Sequence, residues 1–196
     1  MKKNKWIIVG IIVVVFGLIG WCVGSYNRML QAQETATTSL SDLEATYQRR
    51  ADLLPNFAKT VKSYAKHENE TFTQVAQARA AASQVKLDAS DLTPEKIKAY
   101  QEAQGQISAA LGKLMAVSER YPELKADKSY ENLQVELEGC ENRINEARQK
   151  YNAAVQDYNI CVRRFPNVLI AGAMGFDKMA KFEASAGAEK APELDI

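Results

Sequence analysis

His67-Glu68 is the pair in this chain closest to metal-assisted chemistry, because a histidine followed by a glutamate opens the zinc-protease helix motif. The second histidine of that motif would fall four residues on, at position 71, where the chain carries Thr71, so the motif fails and His67 reads as a solvated helix residue. Cys140 and Cys161 fall on one helical seam; on a continuous helix, 21 residues at about 1.5 Å each separate them by roughly 30 Å, so they read as buried free thiols rather than a disulfide. Gly172 and Gly175 do not form a phosphate loop, since no strand precedes them and no Lys-Ser/Thr follows. One histidine and three cysteines cannot build a conventional structural zinc site. The chain contains no Gly-x-Ser-x-Gly and no carboxylate pair in an acid/base setting, so no catalytic, metal or cofactor residues are expected and no enzymatic activity is assigned.

Polarity in places that should be dry is more informative. Arg50 and Glu68 occupy positions of an otherwise apolar heptad register, and Asn152 and Asn159 flank another seam seven residues apart. Arg49, Asp52 and Asn56 add polar side chains around the first of these. A buried charge or amide needs a partner, and such groups tend to set register or partner choice at a cost in stability. They are expected either to tie helices together inside a bundle or to form a contact surface between copies of the chain.

The elements that must position these residues are helices. Alternating steps of four and three from Met29 through Leu40, Leu43, Tyr47, Arg50, Leu54, Phe57 and Val61 continue to Val75, Ala78, Ala82 and Val85. A 3.5-residue repeat of this kind makes one seam of a coiled-coil-like helix. The seam passes Pro55 without losing register, which predicts one long helix kinked there; the alternative is a break that folds the chain into a four-helix up-down bundle. Thr93-Pro94-Glu95 reads as the capped start of a second helix, from Ile97 to Tyr121, which Pro122 stops. A third series runs from Tyr130 through Leu137, Cys140, Ile144, Tyr151 and Tyr158 to Phe165, ended by Pro166. Short connections between long amphipathic helices imply antiparallel neighbours, so the fold class is all-α: an elongated antiparallel bundle of three long helices and a short C-terminal one.

The 19 residues from Trp6 to Gly24 carry no charge. At about 1.5 Å per residue they reach roughly 28 Å, close to the hydrocarbon thickness of a bilayer. A cleaved secretory signal has a shorter apolar run and a small-residue cleavage site, and Trp21 before Cys22 fits a lipoprotein site poorly, so the reading is a retained transmembrane helix. Lys2, Lys3 and Lys5 precede it and Arg28 follows, which by the positive-inside rule puts the N-terminus in the cytoplasm and the helical domain on the outer side of the cytoplasmic membrane. Gly20-xxx-Gly24 could let two such helices approach. The resulting domains are a basic N-terminus (1–5), the span (6–24), a bundle (25–166), an apolar segment with a short helix (167–183), which must cover the bundle, touch lipid or meet another chain and is expected chiefly to do the first, and a flexible tail (184–196).

The formal charge of +1 conceals a split: without those three lysines, 22 basic residues face 24 acidic ones. A body near neutrality lacks the basic face that nucleic acid requires. The partners expected are the lipid bilayer, further copies of the chain through its helical faces, and other envelope proteins.

Several stretches also resemble a known family. Tyr47-Gln48-Arg49-Arg50-Ala51-Asp52-Leu53-Leu54-Pro55-Asn56-Phe57, then Val61-Lys62-Ser63-Tyr64 and His67-Glu68, are similar to the signature region of the bacterial LemA family. Leu133 to Ile144, Tyr151 to Asn159, Phe165-Pro166, Gly175-Phe176 and Phe182-Glu183-Ala184 continue the likeness to Pro192, with Phe57-Ala58 and the glycine-rich 172–174 stretch as departures. The resemblance implies a single-pass bacterial membrane protein with a helical bundle, and no reaction. Two functions are therefore expected in order: an envelope scaffold acting by self-association or partner docking, and a ligand- or signal-binding adaptor with a pocket near Arg50 and Glu68.

Overall fold

The computed structural model describes residues 2–87 and 92–183, with side chains from Lys5 onward; part of the loop before Thr93 and the tail expected to be flexible, 184–196, lie outside the described residues. Helix α1 runs Lys2–Tyr64, α2 Asn69–Gln84, α3 Pro94–Glu119, α4 Pro122–Lys125, α5 Lys128–Arg163 and α6 Val168–Ala171, followed by a 3₁₀ turn at Gly172–Met174. No strand occurs among the described residues, and the fold is all-α.

The punctuation follows local chemistry where the sequence signals it. The Thr93 side chain accepts the Lys96 amide at 3.3 Å, with Pro94 in the first turn of α3. α3 ends at Glu119 ahead of Pro122, and α5 ends at Arg163 ahead of Pro166. Gly175 adopts φ +79°, a left-handed conformation that glycine tolerates best, and lets the Phe176 amide reach back to the Ala171 carbonyl at 3.0 Å.

Pro55 does not break α1, which continues for nine more residues. The chain instead turns at residues 65–68, so the long seam is divided between α1 and α2. No glycine or proline marks this turn. Tertiary contacts hold it: Ala65 is fully buried, Glu68 pairs with Arg120 at 2.9 Å, and the Lys62 ammonium lies over the Phe72 ring.

The described residues form two compact units, 2–39 with 153–179, and 40–152 with 180–183. The second unit is a four-helix up-down arrangement, the alternative weighed from the sequence. α2 runs back along α1, bringing Phe72 to Lys62 and Arg79 to Asp52. Lys113 donates to Gln74, so α3 reverses again. α5 descends along α1, pairing Tyr130 with Phe57 and Glu136 with Arg49. Leu40, Leu43, Leu54, Phe57, Ile107, Leu114 and Leu137 are almost wholly buried along these seams. The non-helical residues 180–183 close the unit: the Asn152 amide donates to the Phe182 carbonyl and accepts its N–H, both at 2.9 Å, while the Tyr151 hydroxyl donates to the Ala180 carbonyl at 2.8 Å. The Phe182 ring then packs edge-on against Tyr151 and Tyr100.

The first unit repeats that device one heptad later. Asn159 donates to the Met179 carbonyl at 2.9 Å and accepts the Met179 amide at 3.0 Å, and Tyr158 donates to the Asp177 carbonyl at 2.8 Å. Phe176 meets Tyr26 of α1 at a centroid distance of 5.4 Å. The N-terminal part of α1 is long and apolar enough to cross a membrane, with a mean hydropathy of 2.8 over its best 18 residues and none of them buried.

Burial lifts the Tyr151 phenol from its ordinary 10.0 to about 12. The folded state therefore keeps a proton that the unfolded chain releases near pH 10, so its stabilising effect is complete below pH 10 and is lost as pH rises towards 12. Denaturant titrations of the full-length protein in micelles, followed by circular dichroism from pH 9 upward, are expected to show falling stability across that window. Tyr151→Phe should flatten the fall; an unchanged slope would mean that another group governs alkaline unfolding.

Candidate docking groove and the buried arginine behind it

Arg50 lies on the core-facing seam of α1 and is only 3% exposed. Its Nη1 donates to Ser108 Oγ at 3.0 Å and to Glu141 Oε1 at 2.8 Å; its Nη2 donates to the Gln104 carbonyl at 3.1 Å and to Gln104 Oε1 at 2.9 Å. One guanidinium thus joins α1, α3 and α5. Its Cζ also sits 5.3 Å from the centre of the Tyr47 ring, a cation–π contact, while Nε is buried without a hydrogen-bond partner among the described residues. Burial raises the Tyr47 and Tyr100 phenols above their ordinary value, so both stay protonated at neutral pH, and the two rings pack edge-on at 5.5 Å.

The other polar residues singled out in the sequence are dispersed. Arg49 pairs with Glu136 at 2.7 Å on an exposed face. Asp52 accepts from Gln48 at 3.0 Å and stands 3.5 Å from Arg79. Asn56 is exposed, and its carbonyl accepts the Thr60 hydroxyl. Glu68 sits at the α1–α2 turn with Arg120. Arg50 and Glu68 have different partners, Arg50 holding Gln104, Ser108 and Glu141 and Glu68 holding Arg120 at the turn 65–68. Asn152 and Asn159 both serve the backbone of residues 176–183. His67 is exposed. Cys140 is a buried free thiol whose pKa burial raises, and it donates weakly to the Thr46 carbonyl at 3.6 Å. No cluster of three or more metal-ligating side chains occurs among the described residues.

Sequence reasoning missed a groove of about 970 Å³ between α1 and α2. Tyr47, Ala51, Tyr100 and Gln104 line it, and Ala58, Val75, Ala76 and Ala80 are among its further lining residues. Two of these, Tyr47 and Gln104, are the same side chains that hold Arg50. The Asp52–Arg79 pair lies among the lining helices, and burial raises the Glu44 carboxyl above its ordinary value. The signal available in sequence was the alanine density of α2, which small side chains alone do not convert into a site.

The Arg50 contacts are expected to hold the bundle together. Arg50→Ala should cost about 2–4 kcal/mol, since it removes four hydrogen bonds and leaves Gln104 buried without its donor. Arg50→Met, which keeps an alkyl stem in place, should cost roughly half as much. Urea unfolding of both variants measures this; a loss below about 0.5 kcal/mol for Arg50→Ala would contradict the structural role.

Comparison with known proteins gives a consistent family. Magnetosome protein MamQ of Magnetospirillum gryphiswaldense is 27% identical, the match covering 80% of this chain and 64% of that protein. Magnetosome protein MamQ 2 of Paramagnetospirillum magneticum is 27% identical, over 86% of this chain and 68% of its own length. Protein LemA of Metamycoplasma hominis is 27% identical, over 83% and 71%. The chain thus spans about two thirds of the length of these relatives. The LemA family model matches residues 39–195, four-fifths of the sequence and all of α2 to α6, and the chain belongs to the LemA family.

Proposed function

We propose that this chain is a membrane-anchored docking protein of the bacterial cell envelope, held in the cytoplasmic membrane by residues 6–24 and binding a helical segment of a neighbouring chain in the α1–α2 groove. The groove is the observation that carries the reading. Alanines at positions 45, 51, 58, 76, 80 and 82 line it, and small side chains let a helix backbone come within the 8–10 Å typical of close helix packing. Tyr47 and Tyr100, both buried, are among the residues that line it, and exposed Ala45, Ala76 and Ala80 are the surface it offers to such a segment. The tether supports the reading because confinement to one membrane raises the effective concentration of chain and partner. Lys2, Lys3 and Lys5 ahead of the span support a cytoplasmic N-terminus with the helical domain outside.

A photo-crosslinking amino acid at Ala80, in full-length protein expressed in its own membrane, reads the groove directly. The expected product is a discrete polypeptide adduct, whose mass separates a second copy from a different protein, together with no adduct from the same probe at exposed Val135. Absence of any adduct at Ala80 would overturn the groove as a docking site.

A further inference from the structure

The apolar segment after Pro166 was expected chiefly to cover the bundle, and only part of it does. Ala171, Phe176 and Met179 are buried, whereas Phe165 is 75% exposed, Leu169 69% and Val168 50%. These three exposed residues stand at the corner between α5 and α6. The corner lies against α1: Arg164, Phe165, Pro166 and Asn167 line a hollow of about 440 Å³ with Gly20, Trp21, Gly24, Ser25 and Arg28. The Asn167 amide donates to the Cys161 carbonyl at 2.9 Å, fixing the bend, and Ser25 is buried.

The register on α1 sets the depth of this corner. Gly24 closes the apolar stretch, the polar residue Ser25 follows it, and Arg28 is the first charge beyond. Gly20 lies four residues inside the run, about 6 Å at the helical rise. The corner therefore straddles the level where hydrocarbon gives way to headgroups, on the side where α1 leaves the lipid. Trp21, a residue type favoured at that level, contributes to the same hollow. Three exposed apolar side chains at this depth, with exposed Arg28, Arg163 and Arg164 around them, have the composition of an interfacial membrane contact: apolar groups in the acyl boundary and guanidinium groups among phosphates.

We infer that the α5–α6 corner is a second membrane contact, in which Phe165, Val168 and Leu169 enter the headgroup–acyl boundary and Arg28, Arg163 and Arg164 bind anionic lipid phosphodiesters. It rests on the reading of residues 6–24 as a bilayer span and assigns the lipid, rather than another chain, as the cover of this apolar patch. Two observations favour lipid: the patch is continuous with the end of the span, and its flanking charges are cationic.

The test uses full-length protein with Cys22, Cys140 and Cys161 replaced by alanine, reconstituted in phosphatidylcholine vesicles with and without one-third phosphatidylglycerol. Spin labels are placed singly through Leu169→Cys, Ile12→Cys within the span, and Thr38→Cys, an exposed α1 position 14 residues beyond Gly24. The proposal expects the oxygen-to-nickel accessibility ratio at Leu169 to lie several-fold above that at Thr38, below that at Ile12, and to rise with phosphatidylglycerol. A Leu169 ratio equal to that at Thr38, with Ile12 deep in the bilayer, overturns the corner contact alone. Spin–spin broadening between Leu169 labels of different copies overturns it in favour of a protein interface, and indifference to phosphatidylglycerol overturns the arginine–phosphodiester part. A water-exposed Ile12 would remove the span and the corner contact together.

Discussion

A guanidinium confined to a bundle interior must find acceptors there, and in the second unit that requirement fixes three helices at once. Arg50 on α1 is satisfied only when Gln104 and Ser108 of α3 and Glu141 of α5 stand at their observed heights. A heptad seam alone tolerates a slip of seven residues, because apolar side chains are interchangeable along it; a charge with three named partners does not. Glu141 is part-exposed, so the ion pair is not sealed from water, and its value lies in register more than in Coulomb energy. The groove inherits this order, since Tyr47 and Gln104 line it while touching the arginine.

The Tyr-Asn repeat solves a different problem. Residues 176–183 are not helical, yet several of them are buried, so their peptide groups need partners. A primary amide carries a donor and an acceptor side by side and so can both donate to and accept from a single residue's backbone, which is what Asn152 does for Phe182 and Asn159 for Met179. Each neighbouring tyrosine adds a hydroxyl bond to a nearby carbonyl and buries its ring. Because the pair recurs at seven residues, the same face of α5 presents both.

Much of this was legible in the residues. The heptad positions Met29, Leu40, Leu43, Leu54, Phe57 and Val61 are buried as the periodicity requires, Thr93 caps α3, and two prolines mark the ends of α3 and α5. Arg50 and the two asparagines announced themselves as polar groups in or beside dry seams. What could not be read was their partners, because contacts between residues 50 and 104 or 152 and 182 are made by the fold and leave no local spacing. The turn at 65–68 was equally silent: Lys66-His67-Glu68 is ordinary helical sequence, while Pro55, the conspicuous breaker, is absorbed within α1. The groove depends on that turn, which places α2 alongside α1, so it was hidden for the same reason.

On the proposed reading, a bundle whose polar interior is occupied by structural ties acts through what it touches. Native mass spectrometry of the full-length protein, extracted from its membrane in mild detergent and diluted over a wide concentration range, addresses this most directly. A species heavier than one chain, either a defined multiple or a complex with another polypeptide, is the expected result. A bare monomer at every concentration would contradict it.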